Sequence, residues 1–567
     1  MNTQFFSLQR ILGLLLLLAT AGACAAAMSC RHTGESGAKP VTATSTTPTL
    51  RLYVASTLAG AIEPCGCRKD MLGGVDHAAA MIAKGKQEAP SALVLSAGPL
   101  FFMNPELAVD KRQQELLKAR GIAGSAADFG LVAWAPGVND FAPGLDELKG
   151  LAASSSARML AANLHVPGAP LEAVHVMDVG GTKLGLVGVS DLPSNALPAG
   201  SSTDDLKASL EKAKAEASAQ GAKLLVALVA AQRGQALRMA ELVPGFQVMV
   251  VGKPLDRGES NDAPTPPVLI GQTLVVQAPN HLQAMAVVDL FVKDGELNFQ
   301  DGSGIDAEEQ RTSLQSRIDE LSHRIDAWKT DGSVAAKDIA ARQTDLAGLQ
   351  KQLADLNQPK SVPSGSFFRY ELRQIKEGLG HDERVEARLA GYYKQVNDFN
   401  KDAFKDKRPL EPKAGDPHYV GVQACSTCHQ TQYAFWQTTR HAGAYPVLAR
   451  QFKEFNLDCV GCHVTGYDRP GGSTVTFVEG LQGVQCEQCH GPGSIHAQTK
   501  TKESIRRMPM PDVCQQCHHS PHVADDWTVR EAWPHIIGPG HGLPLTAAAA
   551  SSAGVANEHE GIGGAGN

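Results

Sequence analysis

The last quarter of the chain repeats one short pattern four times, and this repeat constrains the fold more than any other feature. Each copy has two cysteines separated by two residues and followed at once by a histidine: Cys425-Ser426-Thr427-Cys428-His429, Cys459-Val460-Gly461-Cys462-His463, Cys486-Glu487-Gln488-Cys489-His490 and Cys514-Gln515-Gln516-Cys517-His518. Two thiols at this spacing match the two vinyl groups of haem, and the next residue projects its imidazole to the iron. The pattern predicts four covalently attached c-type haems, with these proximal ligands: His429, His463, His490 and His518.

Zinc is the alternative cofactor, because paired cysteines also build zinc sites. A zinc ribbon does not require a histidine directly after the second cysteine, whereas all four copies have one. From His418 to about His541, aromatic and strand-forming runs are scarce, while Cys, His, Gly and Pro are dense. Such a segment cannot build a core from its own side chains, so we expect large cofactors to supply that core and favour haem over zinc.

The first segment has the layout of a secretory signal. Arg10 precedes an apolar run over residues 11–18 and then small residues, and the run is too short to span a bilayer. Ala21-Gly22-Ala23-Cys24 resembles a bacterial lipoprotein cleavage site, which predicts membrane anchoring through a lipid on Cys24. Ordinary cleavage after a small residue is the alternative. We expect an exported bacterial protein, in the periplasm or at the outer membrane or cell surface.

Changes in composition and pattern divide the chain into successive segments. We predict a signal peptide over 1–30, a flexible tether over 31–48, an α/β domain over 49–300, an antiparallel helical hairpin over 305–358, a connecting strand and helix over 362–412, a tetrahaem domain over 416–543 and a disordered tail over 544–567. Within the α/β domain, strands are predicted at Leu50–Ala55, Ala92–Ser96, Leu131–Ala135, Met159–Asn163, Leu184–Val189, Leu224–Val229, Val248–Gly252 and Leu274–Gln277. Alternation of such strands with helical stretches, for example Leu206–Ala219, indicates an α/β sandwich.

The hairpin prediction rests on apolar residues at spacings of four and three. In the first half these residues are Leu314, Ile318, Leu321, Ile325 and Trp328; in the second half Ile339, Leu346, Leu349, Leu353 and Leu356 continue the rhythm, together with Arg342 between Ile339 and Leu346. A turn at 331–333 separates the two halves, and the rhythm is that of a coiled coil. We therefore expect an antiparallel coiled-coil hairpin; a solvated helical linker is the alternative.

The surroundings of the four motifs resemble the tetrahaem cytochrome c-554 family over residues 416–541. The similar segments are Tyr419-Val420-Gly421, Trp436–His441, Cys462–Tyr467 and Gly483–His496. In that family, histidines outside the motifs bind the irons from the far side, and the matching positions are His441, His496 and His535. Further candidates are His418, His519, His522 and His541. The family has one haem without a distal ligand, at the second motif, which implies a five-coordinate haem on His463.

The α/β segment resembles the calcineurin-type metallophosphoesterases of the 5′-nucleotidase group over residues 48–295. The similar segments are Leu52-Tyr53-Val54, Gly60–Pro64, Gly73-Gly74-Val75, Leu95–Gly98, Gly137–Phe141, Ala162-Asn163 and Gly180–Gly185. Those enzymes hold two metals that activate water and clamp phosphate. At or near the family's ligand positions this chain has Thr57, Ala59, Pro99, Val138, Asn139, Lys253 and Leu255. The resemblance implies a degenerate domain that serves as a scaffold without the two-metal site.

Cys65 and Cys67 follow the first lost ligand position directly. A disulfide between cysteines one residue apart is strained. Metal ligands, a redox pair, partners for another chain, a structural disulfide and free thiols remain open for this pair.

The motifs favour electron transfer over catalysis. Haems with two histidine ligands have no open position for a substrate, so we expect an electron-transfer protein that serves redox partner proteins. With a net charge of −7 and no basic block, the chain gives no sign of nucleic-acid binding. The alternatives are a haem enzyme that acts on a small nitrogen or sulfur species at one five-coordinate haem, and a bifunctional phosphohydrolase–cytochrome.

Overall fold

The structure is a computed structural model that describes most of the chain after residue 46. The described residues are 47–64, 71–258, 260–303, 308–330, 336–356, 363–519, 523, 527–538 and 540–541. Among the predictions that lie outside them are the signal peptide, Cys24, Cys65, Cys67, His522 and the tail over 544–567. Within the described part, no helix combines the length and the apolar character needed to cross a membrane.

The strands and helices alternate in the first half of the chain, and short helices dominate the end. The strands are β1 Leu50–Ser56, β2 Ala92–Ala97, β3 Leu131–Ala135, β4 Arg158–Leu160, β5 Leu164–His165, β6 Leu171–Glu172, β7 Val174–Val179, β8 Thr182–Ser190, β9 Ser202–Thr203, β10 Leu224–Ala230, β11 Val248–Gly252, β12 Val268–Ile270, β13 Thr273–Val276, β14 Ala284–Phe291, β15 Gln300–Asp301 and β16 Phe367–Gln374. The helices are α1 Val75–Glu88, α2 Arg112–Phe129, α3 Leu145–Ser155, α4 Leu206–Ala219, α5 Arg233–Leu242, α6 Glu308–Thr330, α7 Ala336–Leu356, α8 Glu383–Ala403, α9 Val422–Ser426, α10 Gln430–Trp436, α11 Ala444–Arg450, α12 Val460–His463, α13 Cys486–His490, α14 Ser494–Thr499, α15 Pro511–Gln515 and α16 Val529–Ala532.

Two mixed sheets form the centre of the N-terminal half. The larger has the strand order β15-β16-β14-β1-β2-β3-β4-β6, and the smaller has the order β12-β13-β11-β10-β8-β7. Strand β10 is a continuous apolar run, Leu224–Ala230, and every residue of it is buried. Such runs are typical of parallel strands that are covered on both faces, and β10 pairs in parallel with both β8 and β11.

The packing forms four layers, with a helix layer outside each sheet. Leu52, Leu95, Leu186 and Val226 meet in one buried cluster between the two sheets. A second cluster joins the outer face of the larger sheet to α1, α2, α3 and α8, and a third joins the smaller sheet to α4 and α5. This arrangement is the α/β sandwich that the strand pattern predicted, and each of the eight predicted strands overlaps an observed one.

The segment predicted as a connection over 362–412 contributes to the sandwich itself. Strand β16 pairs antiparallel with β14 along its whole length. Helix α8 places Val385, Leu389 and Tyr392 in the same buried cluster as α1 and α2. The α/β fold therefore extends beyond residue 300, since the chain returns to the larger sheet after an excursion through α6 and α7.

Helices α6 and α7 form the predicted pair of helices. The Arg311 guanidinium donates a hydrogen bond to the Leu356 carbonyl oxygen at 3.4 Å, so the start of α6 meets the end of α7 and the pair is antiparallel. Leu314, Ile318 and Ile325 are buried, at 9%, 7% and 2% exposure. The predicted apolar positions of α7 are half-buried, while most of their neighbours are exposed. Supercoiling of the pair stays a prediction.

Charges placed between these two helices should melt them. Replacing Leu321 and Leu349 with Asp puts two carboxylates into the half-buried contact, where they lose apolar burial and repel one another. We expect a lower helix signal in circular dichroism and increased proteolysis within residues 308–356. The matched control carries Asp at the exposed positions Ser316 and Ala347 and should keep both helices. Unchanged helix content in the Leu321/Leu349 variant would favour the solvated linker.

Candidate functional site

Each cysteine–histidine motif overlaps a short helix. The first motif begins inside α9 and the fourth begins inside α15, whereas the second and third motifs nearly coincide with α12 and α13. All eight motif cysteines are free thiols in the structure. These thiols stand in for the thioether sulfurs that covalent haem attachment would produce.

The four motifs are arranged in two adjacent pairs. The thiols of Cys425 and Cys486 are hydrogen-bond neighbours, which joins the first motif to the third. The thiols of Cys462 and Cys517 are also neighbours, which joins the second motif to the fourth. Motifs that are separated in sequence therefore meet in space, and attached groups would lie close to one another.

Two motif histidines face a second histidine at the spacing expected for ligation of one metal. The ring centroids of His429 and His496 lie 6.2 Å apart, and those of His441 and His518 lie 6.3 Å apart. Two imidazoles that bind a metal from opposite sides have centroids about 6 Å apart, because each metal–nitrogen bond is about 2 Å and half of each ring adds about 1 Å. These residues fit a haem iron between them, in which case His496 would serve the first motif and His441 the fourth.

Backbone carbonyls fix the orientation of several of these imidazoles. The Nδ1 atoms of His463, His490 and His496 lie 2.6, 2.7 and 2.9 Å from the carbonyl oxygens of Ala444, Arg506 and Thr501 respectively. A carbonyl can only accept, so each Nδ1 carries the proton. The other nitrogen, Nε2, keeps its lone pair for a metal, and this second hydrogen bond is the usual companion of a metal-bound histidine.

Burial keeps two of the candidate ligands in the neutral form. Burial, reinforced by the neighbouring His518, lowers the pKa of His441 to about 4. Burial also lowers the pKa of His463, although its hydrogen bond to Ala444 acts in the opposite direction. Neutral imidazole is the form that binds iron, so both side chains are suited to ligation at neutral pH.

Three other predicted histidines, His535, His541 and His519, lie in the same region of the chain. His535 is exposed on a short turn after α16, and its role as a distal ligand stays a prediction. The pKa of His541 is lowered by burial and by the nearby His490 and His429, which brings this alternative close to the third motif. His519 lies near Cys462 and His518.

A buried glutamate inside the third motif, which the motif spacing does not single out, ties two loops to α13. The Glu487 carboxylate accepts hydrogen bonds from the backbone N–H groups of Val420, Gly421 and Gly493 at 2.6–3.1 Å. Burial raises the pKa of Glu487, and these backbone donors counteract the rise. Because Glu487 occupies a variable position of the motif, the spacing rule gives no signal for it.

A docking segment, residues 453–458, attaches the second motif to the α/β sandwich. Asp458 accepts from Lys111 at 2.7 Å and from Gln114 at 3.0 Å, both on or next to α2. Asn400 on α8 donates to the Phe455 carbonyl oxygen at 2.9 Å. The segment ends directly before Cys459, so the sandwich fixes the start of the second motif.

The phosphoesterase ligand positions hold side chains that bond to protein instead of metal. Thr57 and Ala59 follow β1 with φ angles of 51° and 47°. The Thr57 hydroxyl accepts a hydrogen bond from the Lys253 backbone N–H at 2.8 Å. The Pro99 ring packs where a side chain on Gly137 would stand. Hydroxyl, methyl and pyrrolidine groups therefore replace the carboxylates and imidazoles that the family uses.

Two further side chains at or near the phosphoesterase ligand positions also contact protein groups. The buried Asn139 side chain donates to the carbonyl oxygens of Phe102 and Asp256, both at 3.0 Å. The Lys253 ammonium forms an ion pair with Asp262 at 2.8 Å. A lysine brings positive charge to the place where the family binds cations, so the residues present do not fit a two-metal site.

Sequence comparison supports the assignment of the C-terminal region. Residues 424–491 match the family model described as cytochrome c554 and c-prime. Cytochrome c-554 of Nitrosomonas europaea is 38% identical over 96 residues, which are 14% of this chain and 41% of that protein. The chain thus spans less than half the length of this relative. Residues 424–491, which contain the first three motifs, are therefore similar to the cytochrome c554 family, as the flanking sequences predicted, and that family implies covalently bound c-type haem.

Structural comparison finds phosphoesterases of the class that the N-terminal motifs predicted. A 5′-nucleotidase precursor from Thermus thermophilus is 16% identical, with a TM-score of 0.43, over 73% of this chain and 68% of that one. The Thermus thermophilus sulfate thiohydrolase SoxB is 19% identical, with a TM-score of 0.37, over 44% and 55%. The calcineurin-like phosphoesterase YfkN from Bacillus subtilis is 17% identical, with a TM-score of 0.36, over 44% and 86%.

Proposed function

We propose that this chain, with its cytochrome c554-type C-terminal region, is an exported electron-transfer protein that carries four haems. The observation that carries the proposal is the pair of imidazole–imidazole spacings, 6.2 and 6.3 Å, at the first and fourth motifs. Haem iron, when bound, exchanges one electron without bond rearrangement. Histidine on both sides leaves no position for a substrate, so such sites are suited to electron transfer.

The residues of the chain hold and insulate the cofactors. Each cysteine pair would attach one haem, and the following histidine would bind the iron. Backbone carbonyls keep the proton on Nδ1 of His463 and His490, so that Nε2 keeps its lone pair for a metal. The described residues of this region contribute one small apolar cluster of their own, built on Tyr445, Val460, Val464 and Val478. The cofactors would supply the rest of the core.

In this proposal the α/β sandwich is a scaffold. The docking segment hydrogen-bonds to α2 and α8 of the sandwich, so the sandwich positions the second motif. Its own ligand positions carry Thr57, Ala59 and Pro99, which cannot hold two metals. A docking surface for redox partner proteins is a second role that the same scaffold would provide.

Export and lipid anchoring complete the proposal. The apolar run over 11–18 and the lipoprotein-like sequence ending at Cys24 support a periplasmic or cell-surface location. A lipid on Cys24 would hold the cytochrome near membrane-bound electron donors or acceptors.

The haem count tests the proposal directly. We expect the purified full chain to contain four haems by the pyridine haemochrome assay, and a potentiometric titration to show four reversible one-electron centres. Replacing Cys489 and His490 with Ala should remove one haem and leave three. Fewer than four haems in the wild type, or centres that do not cycle reversibly, would contradict an electron-transfer protein of this type.

We expect no metal-dependent phosphatase or nucleotidase activity. Ala59, Pro99 and Val138 carry no metal-ligating group, and the side chains of Thr57 and Asn139 already bond to protein groups, so these positions do not supply the two-metal site that would activate water. The full chain would be assayed with nucleotides and p-nitrophenyl phosphate in the presence of manganese or zinc. Turnover at an ordinary enzymatic rate, about one per second or more, would show that the sandwich is active and would favour the bifunctional alternative.

A haem enzyme is the second candidate function. It depends on the haem of the second motif, which the c-554 resemblance implies to be five-coordinate. His463 is half-buried and its Nδ1 donates to the Ala444 carbonyl oxygen at 2.6 Å, an orientation that leaves Nε2 free to act as a proximal ligand. Carbon monoxide binding to one reduced haem would support this candidate, whereas four unreactive haems would leave electron transfer alone.

A further inference from the structure

A basic segment, residues 500–510, lies between helices α14 and α15, and its side chains have no role in the sites described above. Its charged side chains are four cations and one carboxylate, so its net charge is +3, whereas the whole chain carries −7. These side chains, Lys500, Lys502, Glu503, Arg506 and Arg507, are all exposed. No carboxylate among the described residues forms an ion pair with any of the four cations. The segment is therefore a positive surface on an acidic chain.

The backbone of the basic segment contacts two predicted haem ligands. The Thr501 carbonyl oxygen accepts a hydrogen bond from Nδ1 of His496 at 2.9 Å. The Arg506 carbonyl oxygen accepts a hydrogen bond from Nδ1 of His490, the predicted proximal ligand of the third motif, at 2.7 Å. His496 in turn faces His429 of the first motif at 6.2 Å. A molecule that rests on the outer face of the segment would therefore be separated from two predicted haem ligands by a single layer of backbone.

Two exposed methionines lie at the end of the basic segment. Met508 is 69% exposed and Met510 is 59% exposed, so both present apolar surface to the solvent. Pro509 stands between them and Pro511 is the first residue of α15. Because proline fixes its own φ, the backbone that carries the methionines loses less freedom when a partner binds. Methionine and arginine are both enriched at protein interfaces, and methionine adapts to partners of different shape.

We propose that the basic segment is the docking surface for an acidic electron-carrier protein, which exchanges one electron with the haem of the first or third motif. This docking role presupposes the electron-transfer function proposed above. The cations would steer an acidic partner to the segment, and the two methionines would supply the apolar contact. In the transfer, the reduced carrier loses one electron and a ferric haem gains it, and no bond forms or breaks. An anionic membrane would meet the same cations, but the contacts with two haem ligands favour a redox partner.

The rate of reduction by an acidic protein donor tests the docking surface. Reduced flavodoxin, an acidic one-electron donor, would be mixed with the ferric, haem-loaded full chain in a stopped-flow spectrometer. We expect a second-order rate constant that falls as ionic strength rises from about 0.01 to about 0.3 M, because salt screens the attraction. Lys502→Glu combined with Arg507→Glu should lower this rate constant about tenfold or more at low salt, with a smaller difference at high salt. Both side chains are exposed, so the variant should fold, and its haem count would verify this.

The matched control reverses two exposed charges on the sandwich. Lys212→Glu combined with Lys223→Glu changes the net charge by the same amount and should keep the flavodoxin rate constant within about twofold of the wild type. Reduced methyl viologen, a small cationic donor, should reduce the Lys502/Arg507 variant at least as fast as the wild type. Equal flavodoxin rate constants for the two charge-reversal variants would overturn the docking surface.

Separate measurements distinguish that result from failure of the electron-transfer function. If reduced methyl viologen does not reduce the wild type reversibly, both the electron-transfer function and the docking role are refuted. If the Lys502/Arg507 variant shifts the midpoint potentials but keeps the flavodoxin rate constant, the cations serve haem propionates and only the docking role is overturned. Loss of cosedimentation with phosphatidylglycerol vesicles, again with an unchanged flavodoxin rate constant, would assign the segment to membrane binding and overturn the docking role as well.

Discussion

Replacing His441 with Ala should convert one low-spin haem of this protein into a high-spin haem. The centroids of His441 and His518 are 6.3 Å apart, so His441 is placed to bind the iron of the fourth motif from the distal side. Without that imidazole the iron loses its sixth ligand. Low-temperature electron paramagnetic resonance should gain one high-spin ferric signal, and carbon monoxide should perturb one more reduced haem than in the wild type.

The equivalent change at His496 should affect a different haem. His496 faces His429 at 6.2 Å, so His496→Ala opens the iron of the first motif. The double variant with His441→Ala should add two high-spin haems. His323→Ala, at an exposed position of α6, is the control and should leave the spectrum unchanged. The pairing would be refuted if neither single variant altered the spin state.

The same spectra decide between two candidates for a further distal ligand. His535 was expected from the family resemblance, whereas the structure brings His541 near His490. His541→Ala should produce a high-spin signal if His541 is the distal ligand of the third haem. His535→Ala should produce one instead if His535 is a distal ligand, as the family resemblance implies. The wild-type spectrum should already contain one high-spin haem if the iron on His463 is five-coordinate.

Short-range patterns explain what could be predicted from the sequence. The cysteine–histidine motifs are local and chemically strict, and the buried strands of the sandwich are continuous apolar runs. Strand β10 was predicted at Leu224–Val229 and is observed at Leu224–Ala230. Helix α4 was predicted at its observed bounds, Leu206–Ala219, because its apolar residues recur with the helical period.

Long-range pairing explains what could not be predicted. Strand β16 pairs with β14 across the excursion through α6 and α7, and nothing in its own sequence identifies that partner. Glu487 is an ordinary charged residue in sequence and becomes the centre of a buried loop contact only after folding. The hydrogen bond between His381 and Asp76 joins residues 305 positions apart in the chain, so spacing rules cannot find it.

Loss of the Lys118 charge should weaken the attachment of the cytochrome region more than any other single change at this contact. Lys118 is buried on α2, 3.0 Å from Glu115 and 3.8 Å from Asp458 of the docking segment. Burial alone would lower the pKa of Lys118, but these two carboxylates outweigh it and raise the pKa, so the ammonium stays charged. Lys118→Met leaves both carboxylates without this partner.

We expect Lys118→Met to lower the free energy of unfolding by about 3 kcal/mol, because removing one member of a buried ion pair leaves uncompensated charge. Chemical denaturation followed by haem absorbance would measure the loss, and limited proteolysis should cut more readily near residues 404–417. Lys111→Met is the matched control. Lys111 pairs with the same Asp458, but its side chain is 40% exposed, so the change should cost less than about 1 kcal/mol. Equal effects of the two variants would show that burial of Lys118 does not stabilise the contact, and that the docking segment is held by its hydrogen bonds to Gln114 and Asn400 instead.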